Sequence, residues 1–447
     1  MAGGPDDANA FRWVDDYIAH VRPHFEVRSE DSLLIVMPNK AVKLNASGLA
    51  ILRFLKDGGS IERVLERVGG RSDRRRQLFW FLCDFRSLMS GCLGEGRGRE
   101  AVDVVSHAAM PFNALPVLSE IAVTYRCNLR CRFCYAACGC QGARGSMDEM
   151  TTRQVVRVLK IIRRDAKVPS VSFTGGEPAL REDLEELVAA ARATGLRTNL
   201  ITNGTLLAGN DLARRLRRAG LTSAQVSLEG PTADVHDGLT GVAGSFARTR
   251  EGLQALRQAG IHTHTNTTIN ALNADHLEGL VRLIADLGIT RMSANMVIPA
   301  GSAADRRVQV PYSRIGEVVL RVREAARRYG VEFLWYSPTP MCIFNPLAMG
   351  MGNKSCAACD GLLSVSPAGD VLPCSSYPEP VGNLLDQPFE EIWSSARAVF
   401  FRHKDYAPSE CAGCEDFVAC AGGCPLYWSA MGTAELSEAR RLAHAVA

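Results

Sequence analysis

This 447-residue chain has no stretch approaching 18 consecutive apolar residues, which excludes a membrane-spanning helix. Its start, Met1 to Asp16, is acidic and polar and has no apolar leader core. Net charge is also missing: 51 basic residues against 48 acidic leave +3, too little for a nucleic-acid footprint. Short basic runs such as Arg74-Arg75-Arg76 read as solvated helix faces. A cytosolic protein that contacts neither membrane nor nucleic acid is expected. Cysteine is too sparse for a disulfide scaffold, at 15 residues and an odd number. The cysteines are clumped, however, and in a reducing compartment clustered thiols bind metal or do chemistry more often than they form disulfides.

What is present is a 47% hydrophobic chain, enough for about three domains of roughly 150 residues. In the first, 1–112, strand-like runs at Phe25 to Val27, Leu33 to Met37 and Ala41 to Leu44 surround the polar turn Ser29-Glu30-Asp31. Three helices follow: one capped by Asn45 and ending at Gly58-Gly59, one capped by Ser60, and one with Leu78, Phe81, Leu82, Phe85, Leu88 and Met89 on one face and Gly91 as its stop. This is a winged-helix-like α+β pattern, in which Cys83 and Cys92 read as ordinary thiols.

The second zone, 113–330, alternates strand and helix. Strand-like runs at Ile121 to Thr124, Val171 to Thr174, Thr198 to Thr202, Gln225 to Leu228, His262 to Ile269 and Met292 to Val297 are each followed by a helical pattern. Six βα units imply an α/β fold with a parallel sheet, open or barrel-like, that works at its carboxyl strand ends. The third zone, 331–447, has little periodicity and eight cysteines, so an irregular segment organised by metal is expected.

The chemistry-bearing motifs sit at the strand ends. After the first strand come Cys127, Cys131 and Cys134, a C-x3-C-x2-C spacing. Three thiolates in one loop can cap three irons of a cubane and leave the fourth open; the alternative is a three-cysteine zinc loop. The second strand ends in Thr174-Gly175-Gly176-Glu177-Pro178, where two glycines allow close backbone approach to a ligand and Glu177 suits an ammonium group. The third ends in Thr202-Asn203-Gly204 and the fourth in Ser227-Leu228-Glu229.

In these residues the chain resembles the radical SAM enzymes, whose cluster loop is C-x3-C-x-aromatic-C, completed here by Phe133, and whose second strand ends in GGEP. The resemblance implies a partial (β/α)6 TIM-like barrel. It implies a [4Fe-4S] cluster on Cys127, Cys131 and Cys134 whose open iron binds S-adenosylmethionine, with Gly175, Gly176, Glu177, Pro178, Asn203 and Ser227 as cofactor contacts. The family often has Asp where Glu229 stands, and an Arg near the segment that reads His236-Asp237-Gly238 here. Asn266 is a further polar-lining candidate, whereas His236, His262 and His264 read as structural, and Cys138 and Cys140 as bystanders.

The third zone resembles the SPASM extension of that family, C-x9-15-G-x4-C and then C-x2-C-x5-C-x3-C. Cys359, Gly369 and Cys374 match the first part, and Cys411, Cys414, Cys420 and Cys424 the second. Two auxiliary clusters are implied: Cys359, Cys374 and Cys424 with Cys356 or Cys342 on one, and Cys411, Cys414 and Cys420 on part of the other. The family's terminal cysteine has no counterpart here, so either Cys342 or a different group completes the second site. On spacing alone, Cys356 with Cys359 and Cys411 with Cys414 also fit zinc ribbons.

The amino-terminal zone resembles the PqqD-like module of peptide-modifying members, which binds a leader peptide by strand addition. The resemblance then implies an enzyme that cleaves S-adenosylmethionine to a 5′-deoxyadenosyl radical and takes hydrogen from a precursor peptide, fed by an electron donor such as flavodoxin or ferredoxin. Two alternatives stand beside it. One is a maturase of a tetrapyrrole or other small cofactor, or of a sulfatase; the other is a zinc-bearing peptide scaffold without catalysis.

Overall fold

The computed structural model describes residues 9–37, 40–69, 71–90, 113–138, 148–352 and 355–446. Gly91, Cys92 and Cys140 lie outside them. The chain divides into two compact units, Met1–Val117 and Leu118–Ala447.

In the first unit, strands β1 (Phe25–Arg28), β2 (Leu33–Val36) and β3 (Lys40–Lys43) form an antiparallel meander in that order. Helices α1 (Val14–Val21), α2 (Ala46–Lys56), α3 (Ile61–Val68) and α4 (Ser72–Met89) accompany it. Asn45 caps α2 by accepting the Gly48 N–H at 2.7 Å, and Ser60 caps α3. Phe25, Leu52, Leu55, Phe81, Leu82 and Phe85 make the core. Helix α1 was not expected; Val14, Ile18 and Val21 recur at helical spacing and are buried, but acidic Asp15 and Asp16 between them mask the pattern. The polar turn is closed by a buried bidentate pair, Arg28 to Asp31 at 2.9 and 2.7 Å.

The second unit is built on one sheet of ten strands. All six expected strands are present: β4 (Leu118–Thr124), β5 (Ser170–Gly175), β6 (Arg197–Thr202), β7 (Ser223–Ser227), β8 (His262–Ile269) and β9 (Arg291–Met296). Each pairs in parallel with the next. Between them run α5 (Thr152–Arg164), α6 (Leu184–Ala193), α7 (Leu212–Ala219), α8 (Ala233–Thr240), α9 (Ser245–Gln258) and α10 (Leu277–Asp286). After β9, α11 (Tyr312–Tyr329) leads to a further parallel strand, β10 (Glu332–Trp335). The sheet's edges do not meet, so the barrel is partial.

The third zone differs from its expectation. It is not an irregular appendage: β11 (Leu362–Val365) pairs in parallel with β4, and β12 (Asp370–Leu372) and β13 (Gly382–Asn383) continue the same sheet. Helices α12 (Phe389–Ser394), α13 (Ala396–Arg402), α14 (Phe417–Cys420), α15 (Pro425–Met431) and α16 (Ala434–Val446) complete it. Phe389, Ile392, Trp393, Phe401, Tyr427 and Trp428 are buried there. These apolar residues sit in helices of six or seven residues, too short to carry a clear period.

Candidate active site and thiol centres

The loop leaving β4 carries Cys127, Cys131 and Cys134, and its backbone is tied to the end of α8 and to the segment that follows β9. The Arg130 and Arg132 N–H groups donate to the carbonyls of Thr240 (2.8 Å) and Leu239 (3.0 Å), and the Cys134 carbonyl accepts from Ser302 N–H (2.8 Å). Phe133, partly buried, packs against Val297, Ala303 and Val308; its ring takes these apolar neighbours and anchors the loop.

The three thiols are partly exposed and close enough for their charges to interact. Burial pushes the Cys127 thiol up to about 11 and lifts Cys131 as well. Cys134 moves the other way, to about 6, because the Cys138 side chain and backbone both hydrogen-bond its sulfur. Cys138, read as a bystander, is therefore a direct neighbour of this loop.

The glycines of the second strand end serve the chain itself. A Cβ on Gly175 (φ +135°) would lie 2.0 Å from the Thr124 carbonyl oxygen, and one on Gly176 2.2 Å from that of Arg126. The Gly176 and Glu177 N–H groups donate to those two carbonyls at 2.8 and 2.9 Å, so β5 ends pressed against the cysteine loop. Pro178 is buried and opens a single 3-10 turn. Glu177 is fully buried and accepts from Thr202 Oγ1 (2.7 Å), Asn203 N–H (2.8 Å) and Ala179 N–H (3.0 Å). Burial holds its carboxyl above the usual range despite these donors, and its charge reaches Cys127. A carboxylate has about four acceptor sites, so three internal donors leave capacity for one more.

Asn203 is a bridge. Its amide donates to Asn128 Oδ1 at 2.9 Å and approaches the Cys127 sulfur at 4.0 Å, while its oxygen accepts from Thr205 Oγ1 and N–H. Asn128 and Thr205 carried no signal in the sequence, because the bridge spans loops 75 residues apart. Ser227 ends β7, half-buried, opposite Asn266 in register. Asn266 itself is bonded across the sheet to Asn295 (2.8 Å) and Ser293 (2.9 Å).

Glu229 is buried with its carboxylate on the Thr268 N–H (2.9 Å), and burial pushes it up to about 8. It faces Cys131. His236 accepts the Glu229 N–H at 3.2 Å and is held by burial down to about 4. Asp237 caps α9 through the N–H groups of Gly244 and Phe246 at 2.7 Å, so this segment is taken up by local structure.

The eight cysteines of the third zone fall into two sets. Cys356, Cys359, Cys374 and Cys424 interact with one another, as do Cys342, Cys411, Cys414 and Cys420. Burial pushes Cys359 and Cys424 up to about 12. The first set is mostly buried; in the second, Cys342 is exposed. The sets divide the two C-x2-C pairs and bring Cys342, from the turn after β10, beside the Cys411 pair. Among the described residues, no three His, Cys, Asp or Glu side chains converge as ligands of a single metal ion.

An open parallel barrel with three thiols at its first strand end and two four-thiol sets beside it defines an iron–sulfur enzyme architecture. Residues 121–284 match the radical SAM superfamily, and residues 356–415 match SPASM, an iron-sulfur cluster-binding domain. A PqqA peptide cyclase of Xanthomonas euvesicatoria pv. vesicatoria is 31% identical over 324 residues, 69% of this chain and 82% of that protein. An AdoMet-dependent heme synthase of Methanosarcina barkeri is 30% identical over 331 residues, 69% of this chain and 90% of that protein. The crystal structure of Streptococcus suis SuiB bound to precursor peptide SuiA superposes with a TM-score of 0.65 over 91% of this chain and 94% of that one; at 16% identity it speaks for the fold. The chain belongs to the radical SAM superfamily and is a SPASM-bearing enzyme of it. Its cofactors are a [4Fe-4S] cluster, S-adenosylmethionine and auxiliary iron–sulfur clusters, and the zinc-scaffold reading gives way. Among the described residues no helix is long and apolar enough to cross a membrane.

Proposed function

We propose that this enzyme is a peptide maturase. Cys127, Cys131 and Cys134 hold the [4Fe-4S] cluster that binds S-adenosylmethionine; the spare acceptor capacity of buried Glu177 beside Cys127 fits the substrate's ammonium group. Cys356, Cys359, Cys374 and Cys424 hold one auxiliary cluster. Cys342, Cys411, Cys414 and Cys420 hold the other, with Cys342 in place of the family's terminal cysteine. When bound, the first cluster and S-adenosylmethionine supply a carbon-centred radical able to take hydrogen from an unactivated carbon.

The chain's own residues do the rest. Asn203, Asn128 and Thr205 lock the cysteine loop, Gly175 and Gly176 seat the second strand end against it, and Phe133 closes its outer side. A precursor peptide is held at β3, a sheet edge with Lys40 and Ala41 exposed, by main-chain pairing. A flavodoxin or ferredoxin delivers electrons.

The observation that carries the peptide reading is the 31% likeness to a peptide cyclase across the thiol-bearing unit. The comparable likeness to a heme synthase favours a second reading, a tetrapyrrole maturase. Anaerobic reconstitution with iron and sulfide, followed by S-adenosylmethionine, dithionite and either a peptide encoded beside the gene or a tetrapyrrole, separates them. The peptide reading requires a change in peptide mass that depends on S-adenosylmethionine and disappears in Cys131→Ala. Conversion of the tetrapyrrole alone would sink it.

A further inference from the structure

The turn that leaves α13 aims three hydrogen-bond donors toward the buried thiol set. α13 ends in a Schellman arrangement, with Lys404 N–H on the Phe401 carbonyl (3.2 Å) and Asp405 N–H on that of Phe400 (3.1 Å). Glycine is the usual residue at the left-handed position of this motif. Here the position is Lys404, at φ 63° and only 2% exposed. Strain kept at a buried cation points to a role for the cation. Its ammonium donates to the Cys356 carbonyl at 2.8 Å and to Asp360 Oδ2 at 3.0 Å.

Two residues earlier, Arg402 lies on the Trp393 ring, 4.9 Å from its centroid, and donates through Nε to the Cys359 carbonyl at 3.1 Å. Two residues later, the Tyr406 hydroxyl is enclosed, with the Cys356 side chain as its hydrogen-bonding neighbour. The charges it meets are those of Cys356, Cys424 and Cys374. A buried phenol needs an acceptor, and the Cys356 sulfur is one that it meets.

We propose that Arg402, Lys404 and Tyr406 are positioning residues that raise the reduction potential of an iron–sulfur cluster held by Cys356, Cys359, Cys374 and Cys424. The proposal rests on the ligand assignment made above. Reduction here is a one-electron step in which the cluster gains one electron and one unit of negative charge, and no bond forms or breaks. Arg402 and Lys404 bring two cations beside the cluster, with Asp360 paired to Lys404, and the phenol adds a donor to its sulfur. Charge and hydrogen bonds to sulfur are the levers that set such potentials. At the other thiol set, Arg440 is opposed by Asp416.

The test is an EPR-monitored redox titration of the anaerobically reconstituted full chain, with dithionite and mediators. The couple of the buried set is the one that survives both in Cys342→Ala, which removes the other auxiliary cluster, and in Cys131→Ala, which removes the first cluster. In Lys404→Met and in Tyr406→Phe, the ratio of reduced to oxidised cluster for that couple should fall at least tenfold at fixed potential, about 59 mV for a one-electron couple. Lys404→Arg should restore most of the shift, and the other couples should stay in place. If Lys404→Met loses iron, Tyr406→Phe decides alone. An unmoved couple in an iron-replete Tyr406→Phe chain overturns the proposal. A wild-type chain that binds no cluster at the buried set overturns the ligand assignment instead.

Discussion

Asn203 donates its side-chain amide to Asn128 Oδ1 at 2.9 Å, and this contact, together with Asn128 Nδ2 donating to Thr205 Oγ1 at 2.8 Å, joins the end of the third barrel strand to the loop that carries Cys127. The Asn203 side chain also accepts from Thr205, so its removal strands three partners at once. Asn203→Ala should lower unfolding stability by about 1–3 kcal/mol, the cost of leaving buried donors and acceptors unmade. Urea denaturation of the iron-free chain measures this. Iron retention after gel filtration should fall with it; unchanged stability and retention would remove the bridging role.

Gly176→Ala places a Cβ 2.2 Å from the Arg126 carbonyl oxygen, a backbone atom that cannot rotate away. The strain should cost about 1–3 kcal/mol and shift the cysteine loop. The expected readout is a lower denaturation midpoint with loss of S-adenosylmethionine binding by calorimetry, whereas Gly209→Ala, with nothing within 4 Å, should change binding little.

His236 stays neutral in the folded protein down to about pH 4, but takes up a proton near pH 6.5 when unfolded. Between those values the unfolded state binds more protons, so stability falls as pH drops from 6.5 toward 4. The loss is on the order of 2–3 kcal/mol for this residue, at about 1.4 kcal/mol per pH unit. His236→Asn should flatten the stability curve over that window relative to wild type. Parallel curves would mean that burial does not hold His236 neutral.

Cys342→Ala should remove about four of about twelve irons from the reconstituted chain, because a cubane needs the full thiol set. Cys83→Ala, in the other unit, should leave the iron content intact. Iron and sulfide assays decide the matter, and full iron in Cys342→Ala would point to a different eighth ligand.

The parts of the site that could be read in advance are those confined to a few consecutive residues. The spacing of Cys127, Cys131 and Cys134 is local, as are the Gly175-Gly176-Glu177-Pro178 turn and the Asn45 and Ser60 caps, and each is where the sequence pattern located it. What escaped were contacts between distant segments. The packing partners of Phe133 lie more than 160 residues onward, at Val297, Ala303 and Val308. The role of Gly175 and Gly176 depends on the backbone of Thr124 and Arg126, which no local rule brings near them.

Residue spacing and alternating strand and helix patterns determined the α/β class, the six strands and the cysteine-bearing loops, because these depend on periodicity and turn chemistry within short windows. Tertiary structure alone decided that β11 joins the barrel sheet at β4, that Cys356 completes the buried thiol set and that Cys342 joins the exposed one. Spacing lists which thiols exist; only the path of the chain between them, fixed by burial of side chains such as Trp393 and Tyr427, determines which ones face each other.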